Sequence, residues 1–338
     1  MSPYSGIMAT TSLLQPPTPS NPHHTLTLSQ RAAGFFKSQQ ASFTLPYPLS
    51  LLSNTESQEK WATYESLFLA CLRTSDNDAA YLCLEELTDR FGRQNERVMA
   101  LQGLYKEAMA GSQGELEEVL RGYDEILKED PTVFSIRKRR AALLRSMGKV
   151  SESVQELVRL LDVSPTDAET WAELADMYAQ QGLYEQAAYC LEEVLVVMPN
   201  AWNMHARLGE VFYLASQRQE GGDQLKGLSE SMRRFCRSIE LCDDYLRGYY
   251  GLKLTTGSLL VTLEGAAKPQ KSSSDPVTGD LAPPSIESVR KLNQAATAKL
   301  GEMIRRVGSG EKGWDGYNEA EIKAARELLE KGAQKIER

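Results

Sequence analysis

Few residues in this sequence belong to the types on which catalytic and metal sites are built. Histidine occurs at His23, His24 and His205, and cysteine at Cys71, Cys83, Cys190, Cys236 and Cys242. A structural zinc site uses closely spaced Cys and His ligands, often a C-x-x-C pair. No cysteine here has such a partner or a neighbouring histidine. The cysteines fall in apolar, helix-spaced stretches, which reads as a set of reduced core thiols. Two of the histidines stand in a Ser/Thr/Pro-rich leading segment, a poor place for an acid–base site. The carboxylate pairs Glu192–Glu193 and Asp243–Asp244 read as exposed helix-end charges. The Walker-type loop, the H-E-x-x-H zinc motif and the G-x-S-x-G nucleophile elbow are absent. No catalytic residue, cofactor or metal is expected, and the chain reads as a non-enzyme.

One basic run stands out, SIRKRRAALLRSMGK, with Arg137, Lys138, Arg139, Arg140, Arg145 and Lys149. Nuclear-import or phosphate-binding runs have this composition. The run also has helical spacing, so a charged helix face is the simpler reading, with contact to an acidic partner or to phospholipid headgroups as the next. The net charge of -8 argues against a nucleic-acid binder.

The elements that must carry these residues are set by three prolines. Pro131, Pro165 and Pro199 are spaced 34 residues apart, and each follows an apolar helical run: YDEILKEDP, LVRLLDVSP and LEEVLVVMP. Proline lacks an N–H and clashes with the preceding turn, so it stops a helix. A 34-residue period ending in proline is the tetratricopeptide repeat length. Between Pro165 and Pro199 the unit is complete. Thr166 and Glu169 suggest a capping box. Trp171, Leu174, Ala175 and Tyr178 share one face of a first helix. Gly182 supplies the turn, Tyr184 opens a second helix, and Ala187, Leu191, Val194 and Leu195 line its inner face. Trp171 and Tyr178 are expected to fill the core between the small residues Ala175 and Ala187.

Flanking units are less regular. One loses the tryptophan, one is expected to have a turn lengthened by GSQG at 111–114, and one a turn expanded around SQRQEGGDQLKGLSE. The predicted organisation is therefore all-α, a superhelical tetratricopeptide-repeat solenoid over 56–264. It is preceded by a largely disordered segment at 1–55 and followed by a Pro/Ser/Gly linker at 265–285 and C-terminal capping helices at 286–338. The stripe Val289, Leu292, Ala296, Leu300, Met303 and Ile304 needs a partner, most simply the end of the solenoid. No stretch approaches the roughly 18 consecutive apolar residues of a membrane span, and the leader lacks the basic and apolar regions of a secretory signal.

Such an array presents a concave groove lined by the first helix of each pair. The expected lining is Lys138 and Arg145, then Asp176 and Gln180, then Asn203, Glu210 and Tyr213. A surface of mixed charge with an aromatic suits an extended peptide or a partner helix.

Beyond the repeat class, the strings AETWAELADMY, GLYEQAAYCLEEVL and PNAWNMHARLGEVFY, with LTDRFGRQNERVMALQGLYKEA and YDEILKEDPT, resemble the subunit-two family of the endoplasmic reticulum membrane protein complex. RFCRSIELCDDYLRGYYGLK is similar to fungal members. The resemblance covers about 56 to 264 and leaves out the Pro-rich start and the linker. It implies a non-catalytic scaffold on the cytoplasmic side of the endoplasmic reticulum, held there indirectly by membrane-embedded partners, within a complex that inserts tail-anchored and multipass membrane proteins. The groove would then hold cytosolic segments of subunits three and five, and the outer surface a partner of the subunit eight/nine type. The rival reading is a free chaperone adaptor gripping the C-terminal peptides of heat-shock proteins. Such a clamp wants Lys and Asn on successive first helices, and Asp176 would repel a carboxylate.

Overall fold

The computed structural model describes residues 22–43, 58–265, 284–314 and 316–336. Every regular element among them is helical: α1 Pro22–Phe43, α2 Gln58–Arg73, α3 Asn77–Phe91, α4 Glu96–Met109, α5 Gln113–Glu129, α6 Phe134–Ser146, α7 Val150–Val163, α8 Ala168–Gln180, α9 Tyr184–Val197, α10 Trp202–Ser216, α11 Gly221–Leu241, α12 Leu246–Gly265, α13 Ile286–Gly308 and α14 Glu319–Ile336. They form stacked helical hairpins of the tetratricopeptide-repeat type. The chain divides into two compact units, 1–156 and 157–338, with the division inside α7.

The three prolines stand two residues beyond the ends of α5, α7 and α9. Gly148 and Gly182 turn α6 into α7 and α8 into α9 at φ +76° and +75°, a conformation that a β-carbon disfavours. Two expected turns are shorter than the sequence suggested. Gln113 and Gly114 belong to α5, which Ser112 caps by accepting the Glu115 N–H. Most of SQRQEGGDQLKGLSE is the first half of a long α11, leaving Gln217–Glu220 as the link. The cap of α8 also differs: Asp167, not Thr166, accepts the N–H groups of Glu169 and Thr170, at 3.2 and 3.4 Å.

In the first unit, α1 corrects the expectation of disorder over 1–55. Leu28 and Ala32 are buried, Phe35 packs edge-on to Tyr64 at 5.1 Å, and Ser29 accepts a hydrogen bond from Thr74 at 2.8 Å. An amphipathic face embedded in a Ser/Thr-rich stretch is thus enough to build a helix once α2 offers Tyr64 and Phe68 to cover it. The rest of 1–55, and residues 266–283 of the expected linker, lie outside the described residues.

In the second unit, α13 and α14 close the end of the array. Val289, Ala296, Leu300 and Met303 are fully buried in one cluster with Leu246, Tyr249, Leu252 and Leu259 of α12. At the middle of this unit the Phe235 ring fills the space between two glycines. A β-carbon on Gly209 would stand 3.1 Å from the ring, and one on Gly251 only 2.1 Å from it. The missing side chains let α10 and α12 close on the ring of α11.

Candidate partner groove

Side chains at the repeat corners tie each first helix to the proline that precedes it. Three different residues hold the proline carbonyls. Arg137 Nε donates to the Pro131 carbonyl at 2.8 Å, Trp171 Nε1 to Pro165 at 2.8 Å, and His205 Nε2 meets Pro199 at 3.0 Å. Each is six residues past its proline, so the three stand at one repeat position. The proline carbonyl lies beyond the helix end with no intrahelical donor to serve it, and the side-chain N–H supplies one.

Trp171 is therefore not the enclosed core residue that the repeat pattern suggested. It is half-buried and walls an open cavity of about 570 Å³ with Leu161, Leu174, Tyr178 and Tyr189. Tyr178 is also half-buried, whereas Leu174, Ala175, Ala187 and Leu191 are buried. Gly182 and Tyr184 are half-buried at the turn, where Arg218 stacks over the Tyr184 ring and donates to the Gly182 carbonyl at 3.1 Å. Pro131, Pro165 and Pro199 are exposed.

His205 makes its corner sensitive to pH. It is buried, and its Nδ1 has no hydrogen-bond partner. Burial lowers its pKa below the ordinary 6.5, the Pro199 carbonyl partly opposes this, and the cations Arg234 and Arg237 of α11 add to the lowering. A depressed folded pKa contributes stability that is present above about pH 6.5 and is lost as pH falls through the folded value. The melting temperature of the second unit should fall between pH 7 and 5. His205→Gln keeps a donor without titrating, so it should flatten that slope; thermal scans across this range are the check.

The basic run Arg137–Arg140 is spent inside the protein. Glu156, only 4% exposed, accepts from Arg137 at 3.2 Å and from Arg140 at 2.9 Å. Arg140 also reaches Asp124 at 2.7 Å, and Arg139 pairs with Glu107, which accepts the Tyr123 hydroxyl. Arg137, Arg139 and Arg140 thus form an internal ion-pair network between helices.

The groove itself is an open trough of about 740 Å³ in the second unit, lined chiefly by the first helices α8, α10 and α12. The structure brings Asp176, Asn203, Glu210 and Tyr213 together there. Gln180 is exposed at the end of α8 and does not line it; Lys138 and Arg145 are half-buried on α6 of the first unit. Sequence reasoning missed the residue that organises the trough. Arg207 donates to Asp176 through Nε and Nη2, at 3.1 and 2.8 Å, and to Glu210 through Nη1 at 2.7 Å. Burial works against its charge, but Glu210 and Asp176 outweigh that and raise its pKa. Tyr245, Tyr250 and Leu254 supply apolar wall, and Arg247, which also lines the trough, pairs with Glu321 of α14 at 2.5 Å.

A signal for Arg207 was present in the repeat. Glu65–Arg97, Glu107–Arg139 and Asp176–Arg207 are acid–arginine pairs 32, 32 and 31 residues apart, each joining successive first helices. Scanning for acid–arginine pairs just short of the repeat length would have found all three.

Burial holds Cys71 and Cys236 up at about 11 and Cys190 at about 12, and raises Cys83 as well, so these thiols stay protonated and poorly nucleophilic. The string GSGEKG at 308–313 has G-x-G-x-x-G spacing. It closes α13 rather than following a strand, so it lacks the context of a dinucleotide loop. Among the described residues no group of three or more His, Cys, Asp or Glu is placed to hold a metal, and no helix is long and apolar enough to cross a membrane.

Comparison with known proteins shows the family. The model of the EMC2 TPR-like repeat domain matches residues 95–226. The TPR repeat protein oca3 of Schizosaccharomyces pombe is 34% identical over 241 residues, 71% of this chain and 82% of that protein. ER membrane protein complex subunit 2-A of Xenopus laevis is 33% identical, over 62% of this chain and 67% of its own length. The Saccharomyces cerevisiae ER membrane protein complex subunit 2 is 27% identical, over 55% and 65%. With a complete repeat between Pro165 and Pro199 and relatives aligned over most of the array, the chain belongs to the family of ER membrane protein complex subunit 2.

Proposed function

We propose that this chain is a non-catalytic scaffold subunit of an ER membrane protein complex. In this reading it lies on the cytoplasmic side of the membrane and grips cytosolic segments of membrane-embedded subunits. The observation that carries it is the trough of α8, α10 and α12, where an ordered Arg207–Asp176–Glu210 cluster is flanked by tyrosines and leucines. Fixed charges give a peptide its register and the apolar walls give it affinity. The family supports the complex, and subunits of the three, five and eight/nine type are the partners we expect. Support of tail-anchored and multipass insertion would follow from holding those partners in place, with membrane contact indirect and no nucleic acid bound.

Purification of the tagged full chain from a detergent extract tests this. Membrane-embedded subunits of the complex should co-elute in stoichiometric amount. Recovery of heat-shock proteins in their place, released by a peptide ending in EEVD, would favour the chaperone-adaptor reading.

A further inference from the structure

We propose that the trough between α4 and α5, in the first unit, is a second docking surface whose occupant is a cationic amphipathic helix. This does not rest on the groove of the second unit. The α4–α5 trough has a volume of about 680 Å³ and runs the length of the hairpin, from Met99 to Ala110 on one wall and Glu115 to Glu129 on the other. Eleven steps of helix on the α4 side give it a length of about 17 Å, room for roughly three turns of a guest helix.

The floor is built by a glycine. A β-carbon on Gly103 would fall 2.3 Å from the Tyr123 hydroxyl, so the two helices touch there, and the Tyr123 ring forms the bottom. Above it the walls stay uncovered. Met109 is 45% exposed, and Met99, Tyr105, Val119 and Ile126 are only partly buried. Methionines and a partly buried tyrosine make an adaptable apolar lining of the kind that receives the face of a helix.

The rim fixes the charge of the guest. Glu118, Glu125 and Glu129 are exposed along α5 and Glu115 lies at its start, whereas Lys106 is the cation among the lining residues. Glu115 serves the Gly111 N–H at 2.8 Å and Glu118 stands 3.7 Å from exposed Arg121. No ion pair engages Glu125 or Glu129 among the described residues. A guest with lysines or arginines flanking an apolar stripe matches both features, while anionic headgroups and nucleic acid are repelled.

Gly122 gives a clean test. It lines the trough, and a β-carbon there meets nothing within 4 Å. Gly122→Leu should therefore fill the trough while raising the melting temperature, because glycine is a poor helix former. The probe is a labelled synthetic helix of about 13 residues, with leucines on one face and lysines beside them, titrated onto the full chain by fluorescence anisotropy. Binding should weaken with salt. It should fall at least about tenfold, the equivalent of about 1.4 kcal/mol, in Gly122→Leu and in the triple variant Glu118→Lys, Glu125→Lys, Glu129→Lys. It should persist when Glu85, Asp89 and Glu152, outside the trough, are reversed instead. Undiminished binding to Gly122→Leu overturns the proposal. So does equal affinity for a scrambled peptide with no apolar face, for a glutamate version of the probe, or for the two triple variants. Self-association of the unliganded chain that Gly122→Leu abolishes would assign the trough to a second copy and overturn it too.

Discussion

Glu156→Ala should lower the stability of the first unit by about 3 kcal/mol, the lower end of what breaking a buried ion pair costs. Glu156 sits on α7 almost out of water and faces two guanidiniums of α6, Arg137 and Arg140. Removing its carboxylate leaves those cations without their common partner in a site too enclosed to hydrate them fully. The loss stays at the lower end because Arg140 keeps Asp124 and Arg137 keeps the Pro131 carbonyl. Urea denaturation followed by circular dichroism measures it. A double-mutant cycle with Arg140→Ala should return a coupling above about 0.5 kcal/mol. An unchanged denaturation midpoint would mean that the three charges are independently solvated and that the basic run is a surface feature after all.

Phe235→Ala should cost the second unit about 3–5 kcal/mol, the range for emptying a buried aromatic site. The ring belongs to the cluster that ties α10, α11 and α12 to the closing helices, and it also forms part of the groove floor. Its contact with Gly251 makes a second, more discriminating outcome available. In the native background Gly251→Ala drives a methyl group into the ring and should cost about 1–3 kcal/mol. In the Phe235→Ala background the same methyl enters vacated space, so the added cost should shrink or reverse. Equal cost in both backgrounds would show that the glycine is there for backbone reasons and not for the ring.

How much of this was legible depended on the range of the interaction involved. The 34-residue spacing of Pro131, Pro165 and Pro199 and the turn at Gly182 are local, so helix ends could be placed within a residue or two. The inner faces carrying Leu174, Ala175, Ala187 and Leu191 follow from helical periodicity alone. Three features lay beyond that reach. The α1 helix hides in a Ser/Thr-rich segment and depends on Tyr64 and Phe68 to cover it. The start of α11 contains Gly221 and Gly222, which read as loop, yet packing of Leu228 and Met232 carries the helix through them. Trp171 looked like core because tryptophan usually is; its indole N–H is instead committed to a carbonyl at an open corner. The groove was half legible for the same reason. That Asp176, Asn203, Glu210 and Tyr213 share one trough follows from helix geometry, whereas Arg207 and Glu156 matter through partners that only the stacking of repeats brings near.

The claim on which the functional reading stands is that the trough of α8, α10 and α12 holds the chain in its complex. Asn203→Arg with Leu214→Glu alters two exposed lining residues without touching the buried core. Purified from detergent extract beside the native chain, this variant should keep the native melting temperature and lose most of the co-eluting membrane subunits. Full recovery of those subunits with the altered trough would contradict the account.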